Sequence, residues 1–327
     1  MKAKLKRLSK QNEVYIFLII VALSFLIQMR SGQFYTANNF LNLSSALIVP
    51  GLFAMAVFLI ILSGGIDVSF PALASLSAYF ITNQLLIMDY QGGIWFPIVL
   101  AIVIGGALGS VNGFFVSYLN MPAMIVTLGT ASVFRGVMQG PMASRQLAVI
   151  PQGMQDFGTS SFFTVTNQLT GHQARLPITF AVLVVVAILV FFLLKYTMLG
   201  RGIYAIGGNE IAAYNAGFHV KRTKFLLFVS AGAIASVAGI VRTSMMRQMH
   251  PTNMLGMEMN IIAGVVLGGV AITGGKGTLT GCILGTLLIV IVENSLILIG
   301  IPVVWRSVFI GLLIVIGTSI SAFQSRK

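Results

Sequence analysis

The stretch Ala46-Leu47-Ile48-Val49-Pro50-Gly51-Leu52-Phe53-Ala54-Met55-Ala56-Val57-Phe58-Leu59-Ile60-Ile61-Leu62 decides the fold class, because residues 43–63 contain no charged side chain. An apolar run of about 20 residues crosses the hydrocarbon core of a bilayer as a helix with every backbone group bonded internally. The rest of the chain matches it. Of 327 residues, 57% are hydrophobic and 8% charged, and the mean hydropathy is +0.96. A soluble domain carries roughly a quarter charged residues, so this chain cannot cover a water-facing surface. Its 35 glycines fit the same reading, since small residues let membrane helices approach closely.

Apolar runs predict ten spans, at residues 14–30, 43–63, 67–88, 94–118, 122–140, 177–195, 225–246, 257–273, 278–299 and 302–322. The second and third are separated only by Ser63-Gly64-Gly65-Ile66, the eighth and ninth only by Gly274-Gly275-Lys276-Gly277. Such short connections also suit broken or re-entrant helices, so the expected fold is an all-α transmembrane bundle of 8–10 spans. The basic segment Met1–Lys10 before Val14–Ile27 resembles a signal peptide, but Gln28-Met29-Arg30 closes the run without a small-x-small cleavage site, and the run is read as a first membrane helix.

Charge orients the bundle. With both termini cytoplasmic, the inside holds Lys2, Lys4, Lys6, Arg7, Lys10, Lys195, Arg201, Lys221, Arg222, Lys224, Lys276, Arg326 and Lys327. Those are thirteen of the twenty Lys and Arg residues; the other seven are scattered arginines: Arg30, Arg135, Arg145, Arg175, Arg242, Arg247 and Arg306. The net charge of +13 comes without a basic stripe interleaved with aromatics, so no nucleic-acid partner is expected. Lipid is the expected solvent, and the chain reads as one membrane domain over residues 1–327. Segment 141–176 is then periplasmic, and segment 196–224 cytoplasmic.

The cytoplasmic segment includes Gly207-Gly208-Asn209-Glu210-Ile211-Ala212-Ala213-Tyr214-Asn215-Ala216-Gly217. Asn209 is a good N-cap, Glu210 complements the positive helix end, and Gly217 suits a left-handed terminus. A helix of about two turns is marginal alone, so it is expected to dock on a partner, with small Ala212 and Ala213 allowing close approach. An ordinary capped loop helix is the bland alternative. At the first break, glycines permit a tight turn and Asp67 can accept bonds from amides freed where the next helix begins. A carboxylate near a membrane is also a substrate-ligand candidate, but the structural cap is the preferred reading.

These segments resemble the permeases of ribose-type monosaccharide ABC importers. The resemblance rests on Leu199-Gly200-Arg201 with Ala205-Ile206-Gly207-Gly208-Asn209, Ala212-Ala213 and Gly217, and on Ser63-Gly64-Gly65-Ile66-Asp67-Val68-Ser69. Pro122-Ala123-Met124-Ile125-Val126-Thr127-Leu128-Gly129 and Val266-Leu267-Gly268-Gly269 with Gly274-Gly275-Lys276-Gly277 complete it, in order from about residue 40 to the C-terminus. The resemblance implies that Gly207, Asn209, Glu210, Ala212, Ala213 and Gly217 form a coupling helix that seats in a cytoplasmic ATPase subunit. It likewise implies that Gly64, Gly65, Asp67, Thr127 and Gly129 belong to a translocation or structural motif. Phe70-Pro71 departs from the family pattern of a small residue and Gly, although proline suits a first helical turn. The implied assembly is an inner-membrane dimer, homo- or heteromeric, of permeases with two ATPase subunits inside and a solute-binding protein outside. Segment 141–176 and the loop near Arg247 are the candidates for docking that protein.

Gly274-Gly275-Lys276-Gly277-Thr278 is not a phosphate loop, because Val270 and Gly277 stand where the motif needs Gly and Ser or Thr. The chain is therefore expected to have no catalytic residues and no cofactor of its own, with Mg-ATP on the partner ATPase. Gly277, Gly281 and Gly285, and Gly105, Gly109 and Gly113, are close-packing stripes, read as packing within the subunit. Glu293 and Arg306, inside the last two runs, are expected to form an intramembrane ion pair. Cys282 is single, so no intrachain disulfide forms, and His172, His219 and His250 have no ligand spacing, so no metal is expected. The rival readings are an ion-gradient-driven transporter, which needs mid-depth carboxylates that these runs almost lack, and a membrane-embedded enzyme. An ABC permease for branched-chain amino acids or nucleosides is the nearest neighbour.

Overall fold

The computed structural model describes residues 12–143, 145–166, 173–296, 298–312 and 315. Helix α1 (Asn12–Ser31) leads to α2 (Ala37–Leu62), α3 (Phe70–Ile87), α4 (Trp95–Ser117) and α5 (Ala123–Gln139). A short helix, α6 (Gln152–Thr159), and the antiparallel strands β1 (Ser161–Thr166) and β2 (Gln173–Pro177) come next. Then follow α7 (Thr179–Tyr196), α8 (Met198–Gly208), α9 (Glu210–Asn215), α10 (Val220–Met246), α11 (Glu258–Leu267) and α12 (Leu279–Ser295).

Among the described residues α1, α2, α3, α4, α7 and α10 are long and apolar enough to cross a membrane. Helices α5 and α12 have 17 residues each, and α11 has 10. Ten residues rise about 15 Å, half of a hydrocarbon core of about 30 Å. The expected span at 257–273 is therefore a half-length helix. Gly268 and Gly269 stop it, Gly269 at a φ of +85° that disfavours any side chain. The tenth expected run, 302–322, begins with a 3-10 turn at Val303–Trp305 and extends beyond the described residues. The β1–β2 hairpin departs from the all-α expectation. Its first strand, Ser161-Phe162-Phe163-Thr164-Val165-Thr166, is aromatic and β-branched, which suits an extended backbone.

Burial separates helices of similar apolarity. The most apolar window of α2 is 78% buried, while those of α1 and α7 are 17% and 22% buried. From Leu47 to Leu62 nearly every α2 side chain is enclosed, by α10, α11, α12 and α7. A helix apolar on all faces fits such a centre. The outward faces of α1 and α7, with Phe17, Leu18, Phe25, Val185, Leu189 and Phe192 exposed, match hydrocarbon instead.

Glycines set the closest helix contacts. A Cβ at Gly232 of α10 would lie 2.3 Å from the Gly105 carbonyl oxygen of α4, and a Cβ at Gly105 2.4 Å from the Gly232 carbonyl oxygen. Gly281 and Gly285 of α12 meet the backbone of Gly268 and Gly264 in the same way. Both stripes thus pack inside the subunit. Gly277 is the exception, lying in the turn before α12 rather than on its face.

The break between α2 and α3 is held by a buried polar network. Asp67 Oδ1 accepts hydrogen bonds from the Ser69 amide (2.6 Å) and the Ser69 hydroxyl (2.7 Å). Ser69 Oγ in turn accepts from Asn112 Nδ2 of α4 at 2.8 Å. From α5, Thr127 Oγ1 accepts from the Val68 amide at 3.3 Å and lies 3.3 Å from the Ile66 carbonyl. Asp67, Ser69, Asn112 and Thr127 are all buried. Asp67 therefore closes a local turn ahead of α3, whose own first turn holds Pro71. Leaving such groups unpaired in the interior is costly, so the bonds that Asp67, Ser69, Thr127 and the Asn112 amide nitrogen make tie three helices to one irregular segment.

These contacts set the expected stability of variants. Gly232→Val forces α4 and α10 apart and costs at least about 1–3 kcal/mol, read as a lower thermal midpoint in detergent. Gly136→Ala on α5 meets nothing within 4 Å, so its midpoint stays level or rises by the equivalent of up to about 1 kcal/mol. Ser69→Ala costs about 1–3 kcal/mol. In a double-mutant cycle, Asn112→Ala adds less on top of Ser69→Ala than it costs alone, because the two share one bond.

Candidate functional site

Helix α9 stands between two breaks that the sequence dictates. Asn209 has an extended backbone (φ −161°, ψ 112°), and its Oδ1 accepts the Ala212 amide at 2.9 Å. Gly217 ends the turn at φ +87°, donating its amide to the Tyr214 carbonyl at 2.9 Å, while the Phe218 amide reaches the Ala213 carbonyl at 3.1 Å. Lys224 Nζ of α10 lies 2.6 Å from Glu210 Oε2. That pair is half exposed and is worth under about 1 kcal/mol, but it fixes the direction of α9 against α10.

The outward face of α9 differs from the expected one. Ala213 is turned inward, 3% exposed, against Ile206 and Val220. Ile211 and Tyr214 point out, 74% and 71% exposed, with Ala212 also exposed between them. A six-residue helix needs a buried anchor to stay folded, and Ala213 is the residue that supplies it. Two large side chains, Ile211 and Tyr214, are thereby left exposed on a polar segment. Ahead of α9 the structure adds α8, N-capped by Thr197 Oγ1 accepting the Gly200 amide at 3.1 Å. Four glycines between 200 and 208 hide this helix from a propensity reading.

Gly207 faces the membrane body rather than a partner. A Cβ there would lie 1.9 Å from the Leu62 carbonyl oxygen and 2.4 Å from the Gly275 nitrogen. Gly64, at φ +85°, lies in the same cluster beside Thr273 and Gly274. A cavity of about 410 Å³ opens here, lined by Ser63, Gly64, Asn120, Ile206, Glu210 and Lys224 among others. The structure thus brings Gly64 and Gly65 to the foot of the α8–α9 segment, and places Asp67 and Thr127 together in the buried network. Gly129 stays apart, on an exposed face of α5 where a Cβ would meet nothing within 4 Å.

At the far end, segment 141–160 and the loop near Arg247 form one surface. Leu147 and Met249 exchange backbone hydrogen bonds at 2.9 and 3.0 Å, and Gln146 Nε2 donates to Gln248 Oε1 at 2.7 Å. Arg247 itself is exposed, at φ 55°.

The expected Glu293–Arg306 ion pair is not formed. Arg306 Nη2 donates to the backbone carbonyl of Glu293 at 2.8 Å, while the Glu293 carboxylate accepts from Asn260 Nδ2 at 2.9 Å. Glu293 lies in the last turn of α12, where carbonyls lack intrahelical partners, so the guanidinium serves as a C-terminal cap. An ion pair occurs instead between Arg135 of α5 and Glu258 of α11, at 2.9 Å. Glu258 is buried in the first turn of its helix, a favourable place for an anion. The signal available in the sequence was the isolated charge at each site: a charge left in an apolar run needs a partner. Asn112 was missed for lack of any charge, and Ser69 entered only as the last residue of the motif after α2, without its bonding role. His172 lies outside the described residues, and among the described residues no group of three or more His, Cys, Asp or Glu could hold a metal.

Comparison with known proteins agrees with this architecture. The D-allose transport system permease protein of Escherichia coli K12 is 30% identical, over 97% of this chain and 93% of its own length. The ribose import permease protein of Bacillus subtilis 168 is 31% identical, over 95% of this chain and 91% of its own. The xylose transport system permease protein of Haemophilus influenzae is 27% identical, over 99% of both chains. No solved structure matches the chain. Residues 39–317 match the family described as the permease component of the branched-chain amino acid transport system, and the chain, a multi-pass helical membrane protein, belongs to that family.

Proposed function

We propose that this chain is the membrane-spanning subunit of an ATP-driven importer that carries a simple sugar across the inner membrane. The observation that carries the reading is α9: a capped helix anchored through Ala213 against Ile206 and Val220, with Ile211 and Tyr214 presented outward. The similarity to permeases named for D-allose, ribose and xylose supports a sugar as cargo. ATP hydrolysis then belongs to a separate cytoplasmic subunit, which holds Mg-ATP and receives α9. Lys195, Arg201, Lys221, Arg222 and Lys224 flank this segment and support its cytoplasmic side.

In this scheme ATP draws two ATPase subunits together and displaces α9, and two permease subunits, identical or not, rock to open a path between them. Because α9 is tied to α10 through Glu210 and Lys224 and to α8 through Asn209, it moves with both. Segment 141–176 and the loop near Arg247, joined through the Leu147–Met249 backbone pair, receive a solute-binding protein on the other side. Selectivity rests mainly with that protein, and the few charges in the spans suit a neutral solute.

The family description supports a second reading, with a branched-chain amino acid as cargo. Uptake of labelled ribose, D-allose, xylose and leucine by vesicles holding the permease, its ATPase and its binding protein separates the two. Sugar uptake dependent on ATP is the expected result; leucine uptake alone would replace it.

The docking role of α9 has its own test. Ile211→Arg is expected to lower co-purification of the ATPase roughly tenfold or more, as loss of an exposed apolar anchor does at interfaces, while the chain stays folded in the membrane. Ala213→Arg is expected to reduce the amount of folded chain instead, because that site is buried. Undiminished ATPase binding by Ile211→Arg would rule out this docking face.

A further inference from the structure

We infer that Gly207 is a positioning residue: it is the point at which displacement of α9 is handed to both broken helix connections of the membrane body. The inference rests on the permease reading above and concerns how that machine is joined. Three segments far apart in the sequence meet at this point, and they meet backbone to backbone. The Gly275 amide donates to the Leu62 carbonyl at 2.9 Å, linking the break after α2 to the turn before α12. Gly207 lies against that bond, since a Cβ on it would sit 1.9 Å from Leu62 O and 2.4 Å from Gly275 N. A Cβ on Gly274 would be 2.6 Å from Gly64 N and 2.9 Å from Gly207 Cα, and one on Gly275 would be 2.6 Å from Gly208 N. Tyr204, one turn earlier on α8, donates its hydroxyl to the Gly277 carbonyl at 2.9 Å.

Contacts of this kind contain no side chain that can rotate away. Packed interiors are stiff and transmit displacement rather than absorb it. On the α9 side, the Asn209 amide donates to the Ala205 carbonyl at 3.0 Å, so the hydrogen-bond ladder of α8 runs to the residue that caps α9. Helices α8 and α9 thus form one lever with Gly207 at their junction. On the membrane side, Leu62–Gly65 leads directly to the Asp67–Ser69–Asn112–Thr127 network of α3, α4 and α5. The turn 274–277 leads to Thr278, the N-cap of α12. One displacement at Gly207 therefore bears on both.

Gly208 supplies the control. It is the next residue on the same helix, yet a Cβ there meets nothing within 4 Å. The two substitutions share the same change in helix propensity and differ only in the contact.

The test uses the complete complex in vesicles: the permease, its ATPase and its binding protein, supplied with labelled ribose, D-allose and xylose. Sugar taken up per ATP hydrolysed is measured for wild type, Gly207→Ala, Gly208→Ala and Tyr204→Phe. The expected result is a fall of roughly tenfold in that ratio for Gly207→Ala, within the range of coupling between distant sites, with the ATPase still bound and hydrolysing. Gly208→Ala keeps the wild-type ratio, and Tyr204→Phe, which leaves the backbone contact intact and folds without a clash, lowers it by a smaller factor. A wild-type ratio in both Gly207→Ala and Tyr204→Phe overturns the inference while leaving the permease reading in place. A fall in hydrolysis and uptake together at unchanged ratio also overturns it, since that is the mark of a structural defect alone. A wild-type complex that binds no ATPase or imports none of the three sugars overturns the permease reading and this inference with it.

Discussion

The hydrogen bond from the Gly275 amide to the Leu62 carbonyl joins two turns that the chain reaches more than two hundred residues apart. Each turn interrupts helical structure, and each therefore leaves backbone groups that the interior must satisfy. Pairing one break with the other answers part of that demand for both. The pairing is possible only because the facing residues are glycines, and the same absence of side chains admits Gly207 to the cluster. The close approach of three backbones, the seating of the α8–α9 segment and the position of the cavity beside it all depend on this one contact.

Around that point the bundle uses two solvents. Helix α2 finds protein on every side, and its apolar surface is matched by α7, α10, α11 and α12. Helices α1 and α7 carry similar surface outward, where hydrocarbon chains are the match. Between helices there is little hydrophobic driving force in lipid, so association falls to van der Waals contact and polar bonds. The glycine seam of α4 and α10 supplies the first. The Asp67 network and the Arg135–Glu258 pair supply the second.

Much of this was legible from residues. Apolar runs located the six long helices, and the Asn209 and Gly217 boundaries of α9 followed from capping chemistry that acts locally. What escaped was decided at a distance. The half-length of α11 depends on Gly268 and Gly269 turning the chain, whereas Val270, Ala271 and Ile272 beyond them are apolar enough to read as more helix. Helix α8 carries glycine at 207 because the backbones of α2 and of the 274–277 turn occupy the space a side chain would need. Which of two adjacent alanines faces outward, and whether Arg306 takes the carboxylate or the carbonyl of Glu293, depends on rotation about a helix axis that a linear pattern does not encode. Ser69 and Asn112 look like ordinary polar residues until the fold places them beside Asp67.

The enclosure of α2 has a consequence for biogenesis. The helices that surround it most closely, α10 and α12, lie late in the chain, long after α2 itself has been synthesised. Until they arrive, α2 can rest in lipid, since its side chains are as compatible with acyl chains as with protein. Insertion of α2 and its full enclosure are thus separated in time, and the enclosure is completed only when the last third of the chain has been threaded into the bilayer. The turn at 274–277 closes that sequence of events, because only then can the break after α2 find its partner.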